Sequence, residues 1–134
     1  MKKYIALGFA VILSLGLISW GTLGHHVVGE IAEHHLTPEA KAAVSSLLGH
    51  ESLADVSTWA DEIVSQQRET APWHFINLPI GLSFAAFQKQ VENQPNGNVY
   101  ISILTAVSQL KNPATSRSVK TNALKFLVHF YAKK

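Results

Sequence analysis

At 134 residues, with 47% apolar and 15% charged side chains, the chain is long enough for one small domain with a real core and too short for two, and it is too apolar to be a disordered polypeptide. The formal charge of +2 includes Lys2 and Lys3; without them nine Lys and Arg face nine Asp and Glu, so no basic stripe exists to neutralise a phosphate backbone. With no cysteine there is neither a disulfide framework nor a thiol-linked lipid, and seven histidines are the one compositional excess.

Residues 1–19 read as a secretory signal peptide: Lys2 and Lys3 form the charged start, Ile5 to Ile18 the apolar run, and Ser19 a small residue before the cut. The run is short of the about 20 residues a membrane span needs. Cleavage there makes Trp20 the first residue of a secreted or periplasmic domain spanning 20–134, with no membrane attachment afterwards. An uncut anchor is the alternative, and it would leave Trp20 without a free amine.

From His25 to Leu36, Val27, Val28, Ile31 and Ala32 recur at helical spacing. Thr37 suits an N-cap and Pro38 the first helical position of a second helix, which runs to Leu48 and stops at Gly49. Ser52 and Asp55 stand at capping-box spacing before a third helix expected over Leu53 to Arg68. Thr70 to Trp73 breaks that pattern, and His74 to Pro79 reads as extended. A short helix follows over Ser83 to Gln90. Gln94-Pro95-Asn96-Gly97 is a turn, Asn98 caps a helix through Leu110, and the final helix starts near Ser116 or Ser118 and carries Ala123, Leu124, Leu127, Val128 and Phe130. The fold class expected is all-α, a helical bundle. An apolar last helix that stops within four residues of Phe130 looks interrupted.

The residues with metal chemistry come from separate elements. A mature Trp20 would offer an α-amine and a carbonyl oxygen able to close a five-membered chelate, and His25 an imidazole five positions on. Asp61 lies inside the third helix pattern; its neighbour Glu62 points about 100° away, so the two are not one carboxylate site. His74 follows Trp73, and His129 falls on the apolar face of the last helix. Each has an ordinary alternative: a terminal Trp anchor, a surface carboxylate, a satisfied core histidine. Together they form a nitrogen and carboxylate set without thiolate, which suits zinc, particularly at a catalytic site. His26, His34, His35 and His50 read as surface or helix-end residues.

Several stretches in this order resemble the S1/P1 nuclease family: Trp20-Gly21-x-x-Gly24-His25, Ile31-Ala32-Glu33, Leu36-Thr37-Pro38-Glu39-Ala40, Ser52 to Asp61, Pro72-Trp73-His74-Phe75-Ile76-Asn77 and Ala123 to Phe130. The resemblance runs from Trp20 to Phe130 and is least distinctive between Gly81 and Ser118. It implies a mostly helical phospholipase C/P1 nuclease-like fold with three zinc ions, acting as a monomer on single-stranded DNA, RNA or nucleotides to give 5′-phosphorylated products. By motif match, Trp20 and His25 would hold one zinc, and Asp61, His74 and His129 a second, with Asp61 as a catalytic residue. Phe75 and Asn77 would stack and hydrogen-bond a nucleobase.

The sequence departs from the family pattern after Phe130, where a Gly-Asp step is replaced by Tyr131-Ala132-Lys133-Lys134 and Lys133 stands in the place of an Asp that bridges two zincs. The chain thus resembles the N-terminal portion of the enzyme, a truncated domain with at most a partial zinc cluster. The competing readings are an inactive zinc-binding fragment, a zinc-dependent phospholipase C, and an exported helical protein without metal.

Overall fold

A computed structural model describes residues 21–132 of the chain; the leader, Trp20, Lys133 and Lys134 lie outside the described residues. Helix α1 covers residues 21–34, already helical four positions before the start that apolar spacing marks. Its buried side is not the apolar one. Leu23, Val27, Val28 and Ile31 are exposed, whereas His25 and Gly29 are buried and Glu33 half-buried, one helical turn apart. Gly29 explains the difference. A Cβ built there would meet Ala54 Cα and Leu53 O at 2.8 Å, so α1 crosses the next layer at backbone contact, which only glycine permits. Glu33 Oε2 then accepts a hydrogen bond from Leu53 N at 2.8 Å.

Helix α2, Pro38–Leu48, begins as expected, with the Thr37 hydroxyl accepting from Ala40 N and Pro38 at the first position. Gly49 ends it at φ 70, in the left-handed region that favours glycine. The third helix differs from expectation. It is not continuous to Arg68 but divides into α3, Leu53–Val56, and α4, Trp59–Ile63, followed by a 3₁₀ helix, Arg68–His74. His74 therefore closes a helical turn, and the extended segment starts at Phe75. Pro72 has no N–H and fits the tighter turn better than an α-helix interior.

The Ser52 capping box forms: Asp55 N donates to Ser52 Oγ at 3.0 Å and Ser52 N to Asp55 Oδ2 at 2.8 Å. The hydrogen bond from the Ser52 backbone, then that from its side chain, holds the Asp55 carboxyl below its ordinary range. A depressed folded-state pKa gives stability that is present above the unfolded value and lost as pH falls through the folded one. Asp55→Asn is expected to flatten the acid limb of stability below about pH 4, and urea midpoints across that range check it.

Helices α5, Phe84–Glu92, α6, Val99–Lys111, and α7, Arg117–Ala132, complete the chain. No strand occurs among the described residues, and the architecture is all-α. Helix α7 is the central element, packing on α2, α3, α4 and α6. Leu48, Leu53, Val56 and Leu124 form the core, with Leu36, Val44, Leu47, Leu110 and Val128 around them. Each such side chain withdrawn from water contributes about 1.5–3 kcal/mol. Beside this core Phe126 meets Trp59 and Trp73, each with centroids at 5.3 Å, and so ties α4 and the 3₁₀ helix to α7.

Candidate metal centre

Four of the sequence-predicted residues converge where α1, α4, the 3₁₀ helix and α7 meet. The His25 and His129 rings stack with centroids at 4.7 Å, and His74 stands edge-on to His129 at 5.1 Å. Asp61 Oδ1 lies 3.4 Å from His129 Nε2 and 3.6 Å from His74 Nε2. The imidazoles of His25, His74 and His129 are buried and the Asp61 side chain is half exposed, so the cluster has a nitrogen floor and a carboxylate at its mouth. Beside it opens a cleft of about 410 Å³ bordered by Gly21, Thr22, His25, Thr58, Asp61 and Glu62. Trp20 lies outside the described residues.

The tautomer of each of the three rings follows from its anchor. His25 Nδ1 lies 2.6 Å from Gly21 O, His74 Nδ1 2.9 Å from Thr70 O, and His129 Nδ1 2.8 Å from Ser57 O. A carbonyl oxygen only accepts, so in each ring Nδ1 carries the hydrogen, and in the neutral form Nε2 presents its lone pair to the cluster. His25 Nε2 and His74 Nε2 are buried with no hydrogen-bond partner. Buried polar atoms without partners are costly, and a cation is the natural occupant of a space lined by such lone pairs and a carboxylate.

The donor set passes the test for a metal. One ligand atom each from His25, Asp61 and His129 lies within 4.8 Å of the other two. Imidazole nitrogen with carboxylate oxygen is a zinc donor set, and backbone carbonyls on the remote ring nitrogens are the usual way such histidines are oriented. A cation held by these groups would bring the concentrated positive charge that the nearly balanced composition lacks.

The break between α3 and α4 serves this site. In an unbroken helix the Ser57 carbonyl would accept from Asp61 N; here Asp61 N donates to Thr58 O at 3.0 Å, and the Ser57 carbonyl receives His129 instead. Ser57 is fully buried, its hydroxyl donating to Ala54 O. Sequence reasoning finds the imidazoles and Asp61 but not these carbonyl anchors, nor Gly29 and Glu33, which seat α1 so that His25 reaches the cluster. The one available signal is a glycine inside a helical pattern. The family resemblance assigns His25 to one zinc and Asp61, His74 and His129 to another, and in the structure His25 stacks on His129 beside Asp61.

Phe75 and Asn77 lie apart from the cluster and are exposed. With Pro72 and the 94–97 turn they border a second cleft of about 340 Å³. Val99 N donates to Phe75 O at 3.2 Å, and the buried Asn98 side chain both donates to Val91 O and accepts from Ile101 N, which fixes the turn against this segment. Of the other histidines, His34, His35 and His50 are exposed and His26 is half-buried; His34 pairs only with Glu30 on its own helix at 3.2 Å.

The family model described as S1/P1 Nuclease matches residues 20–132. The chain belongs to that family. It is 31% identical over 120 residues to nuclease P1 of Penicillium citrinum, covering 83% of this chain and 43% of the relative. Endonuclease 2 of Arabidopsis thaliana is 29% identical over 123 residues, 83% of this chain and 42% of the relative. Nuclease S1 of Aspergillus oryzae is 28% identical over 115 residues, 82% and 40% respectively. The chain spans less than half the length of these S1/P1 relatives. Among the described residues, no helix is long and apolar enough to cross a membrane.

Proposed function

We propose that the chain carries the zinc-holding part of a nuclease site that hydrolyses phosphodiester bonds of single-stranded DNA or RNA to 5′-phosphorylated products. The observation that carries this reading is the convergence of three backbone-anchored imidazoles around Asp61. In it, Asp61, His74 and His129 hold one zinc, and His25 with the amine and carbonyl of a mature Trp20 holds another. Zinc, when bound, supplies Lewis acidity and the positive charge that phosphate oxygens require. The residues supply the rest: in the neutral rings the carbonyl anchors hold the hydrogen on Nδ1 and aim Nε2 inward, and the exposed Asp61 borders the cleft where a phosphate would enter. Phe75 offers an aromatic face that any base can stack on, and the Asn77 amide offers both a donor and an acceptor. The same reading keeps residues 1–19 as a cleaved leader and 20–134 as one exported, monomeric domain, secreted or periplasmic.

Hydrolysis of single-stranded DNA by the chain from Trp20 to Lys134, with zinc and with chelator, tests the proposal, with phosphatidylcholine as the comparison substrate. Chelator-sensitive cleavage of DNA alone is the expected result. Zinc uptake without cleavage would favour the reading as an inactive fragment, the reading that Ala132-Lys133 in place of Gly-Asp motivates. Cleavage of phosphatidylcholine alone would favour a phospholipase. Phe75→Ala is expected to weaken binding of a short oligonucleotide by about 1–3 kcal/mol, the contribution of one stacked base. Fluorescence anisotropy of a labelled strand measures it.

A further inference from the structure

A cavity of about 250 Å³ lies between α6, α7 and the 3₁₀ helix, with Phe130 in its wall. Three aromatic side chains, Trp73, Phe126 and Phe130, form one side of it, with Trp73 and Phe126 centroids 5.3 Å apart and Phe126 and Phe130 stacked at 5.6 Å. Gln67 at the start of the 3₁₀ helix, Gln109 on α6 and Asn122 on α7 bring carboxamides to the same space. Among the described residues, no lysine, arginine, histidine, aspartate or glutamate lines it. Gln67 and Asn122 are exposed and Gln109 is half-buried, so the three amides stand where the cavity meets solvent.

The chemistry of this lining is selective. Aromatic faces favour a flat, polarisable ring. Carboxamides present donor and acceptor side by side, which matches a ring whose edge carries both. An uncharged wall offers nothing to a phosphate or a carboxylate, and desolvating such a charge here would be costly. The volume is just under the roughly 300 Å³ at which pockets for drug-sized ligands begin, room for one ring system and not for a strand. We propose that this cavity is a binding site for a neutral nucleobase or its nucleoside, separate from the metal centre and from the cleft at Phe75. It depends neither on zinc nor on the nuclease reading. Phe130 touches both regions: it lines the cavity, and its ring makes T-shaped contacts with His74 at 5.7 Å and His129 at 5.9 Å, so a ligand against Phe130 borders the wall of the metal centre.

Titration of the full chain with adenosine, followed by quenching of tryptophan fluorescence, tests this, because Trp73 lines the cavity. The expected result is saturable quenching that persists in chelator and in Phe75→Ala, and that under those conditions is no stronger with adenosine 5′-monophosphate than with adenosine. Asn122→Leu and Gln109→Leu together should weaken it about 10-fold, two hydrogen bonds of typical net strength. Asn122 is exposed and Gln109 half-buried, and an unchanged far-ultraviolet circular dichroism spectrum verifies that the double variant folds. Three results would overturn the proposal: no saturation at millimolar adenosine, loss of quenching on Phe75→Ala with retention in the double variant, or tighter binding of the monophosphate.

Discussion

Asp61→Asn is expected to lower zinc affinity by at least about 100-fold while leaving the fold intact. The side chain is half exposed and reaches the cluster from α4, so the change removes the charge and a carboxylate oxygen that the cluster presents, without opening a core cavity. Substitution of residues that only orient a ligand typically costs 10–100-fold in metal affinity, and loss of a ligand should exceed that. His129→Ala should cost as much in zinc and also destabilise, because His129 is fully buried and its Nδ1–H fills the Ser57 carbonyl. The two variants together separate coordination from packing. Competition with a chromophoric chelator measures affinity, and urea unfolding with and without zinc measures linkage, since an ion bound only to the native state raises stability by mass action. Asp61→Asn with wild-type zinc affinity would remove the carboxylate from the ligand set. Acid should weaken binding in the wild type, because imidazoles ligate only when deprotonated.

What could be read from the sequence divides by the range of the interaction that decides it. Thr37, Ser52 and Asn98 announce their helices because a cap is a contract between residues three apart, and all three side chains accept the expected backbone hydrogen bond. The all-α class and the final helix follow from spacing alone. The break at Ser57–Thr58 does not, because what stabilises it is a hydrogen bond from His129, 72 positions away. The buried side of α1 misleads for a similar reason: apolar periodicity points to Val27, Val28 and Ile31, but backbone contact at Gly29 and the Glu33 carboxylate turn the helix the other way. The site was legible as residue types and hidden as anchors. Imidazoles and carboxylates carry chemistry that motifs preserve, whereas the carbonyls of Gly21, Ser57 and Thr70 are backbone atoms that any residue could present.

Gly29→Val is expected to destabilise the protein by about 1–3 kcal/mol or more and to weaken zinc binding, although Gly29 touches no ligand. The atoms that a new side chain would meet are Ala54 Cα, Leu53 O and Ala54 N, all backbone and all within 2.9 Å. No rotamer change relieves such a contact; either α1 lifts or α3 moves. If α1 lifts, the Glu33 hydrogen bond to Leu53 N lengthens, and His25, one turn before Gly29 on the same side of the helix, withdraws from His129. If α3 moves, the Ser57 carbonyl that orients His129 shifts with it. Either route couples the packing of α1 to the metal centre, so stability and zinc affinity should fall together. Gly29→Ala should do the same less severely, since the first carbon already makes the clash. The contrast is Gly24→Ala on the same helix, where an added Cβ meets nothing within 4 Å; zinc affinity should stay at the wild-type value, and stability should hold or rise by up to about 1 kcal/mol because alanine favours a helix over glycine. Thermal unfolding and chelator competition on the three variants measure the coupling. Loss of stability at Gly29 with undiminished zinc affinity would mean that the cluster tolerates displacement of α1, and that His25 is not among the residues that fix the ion.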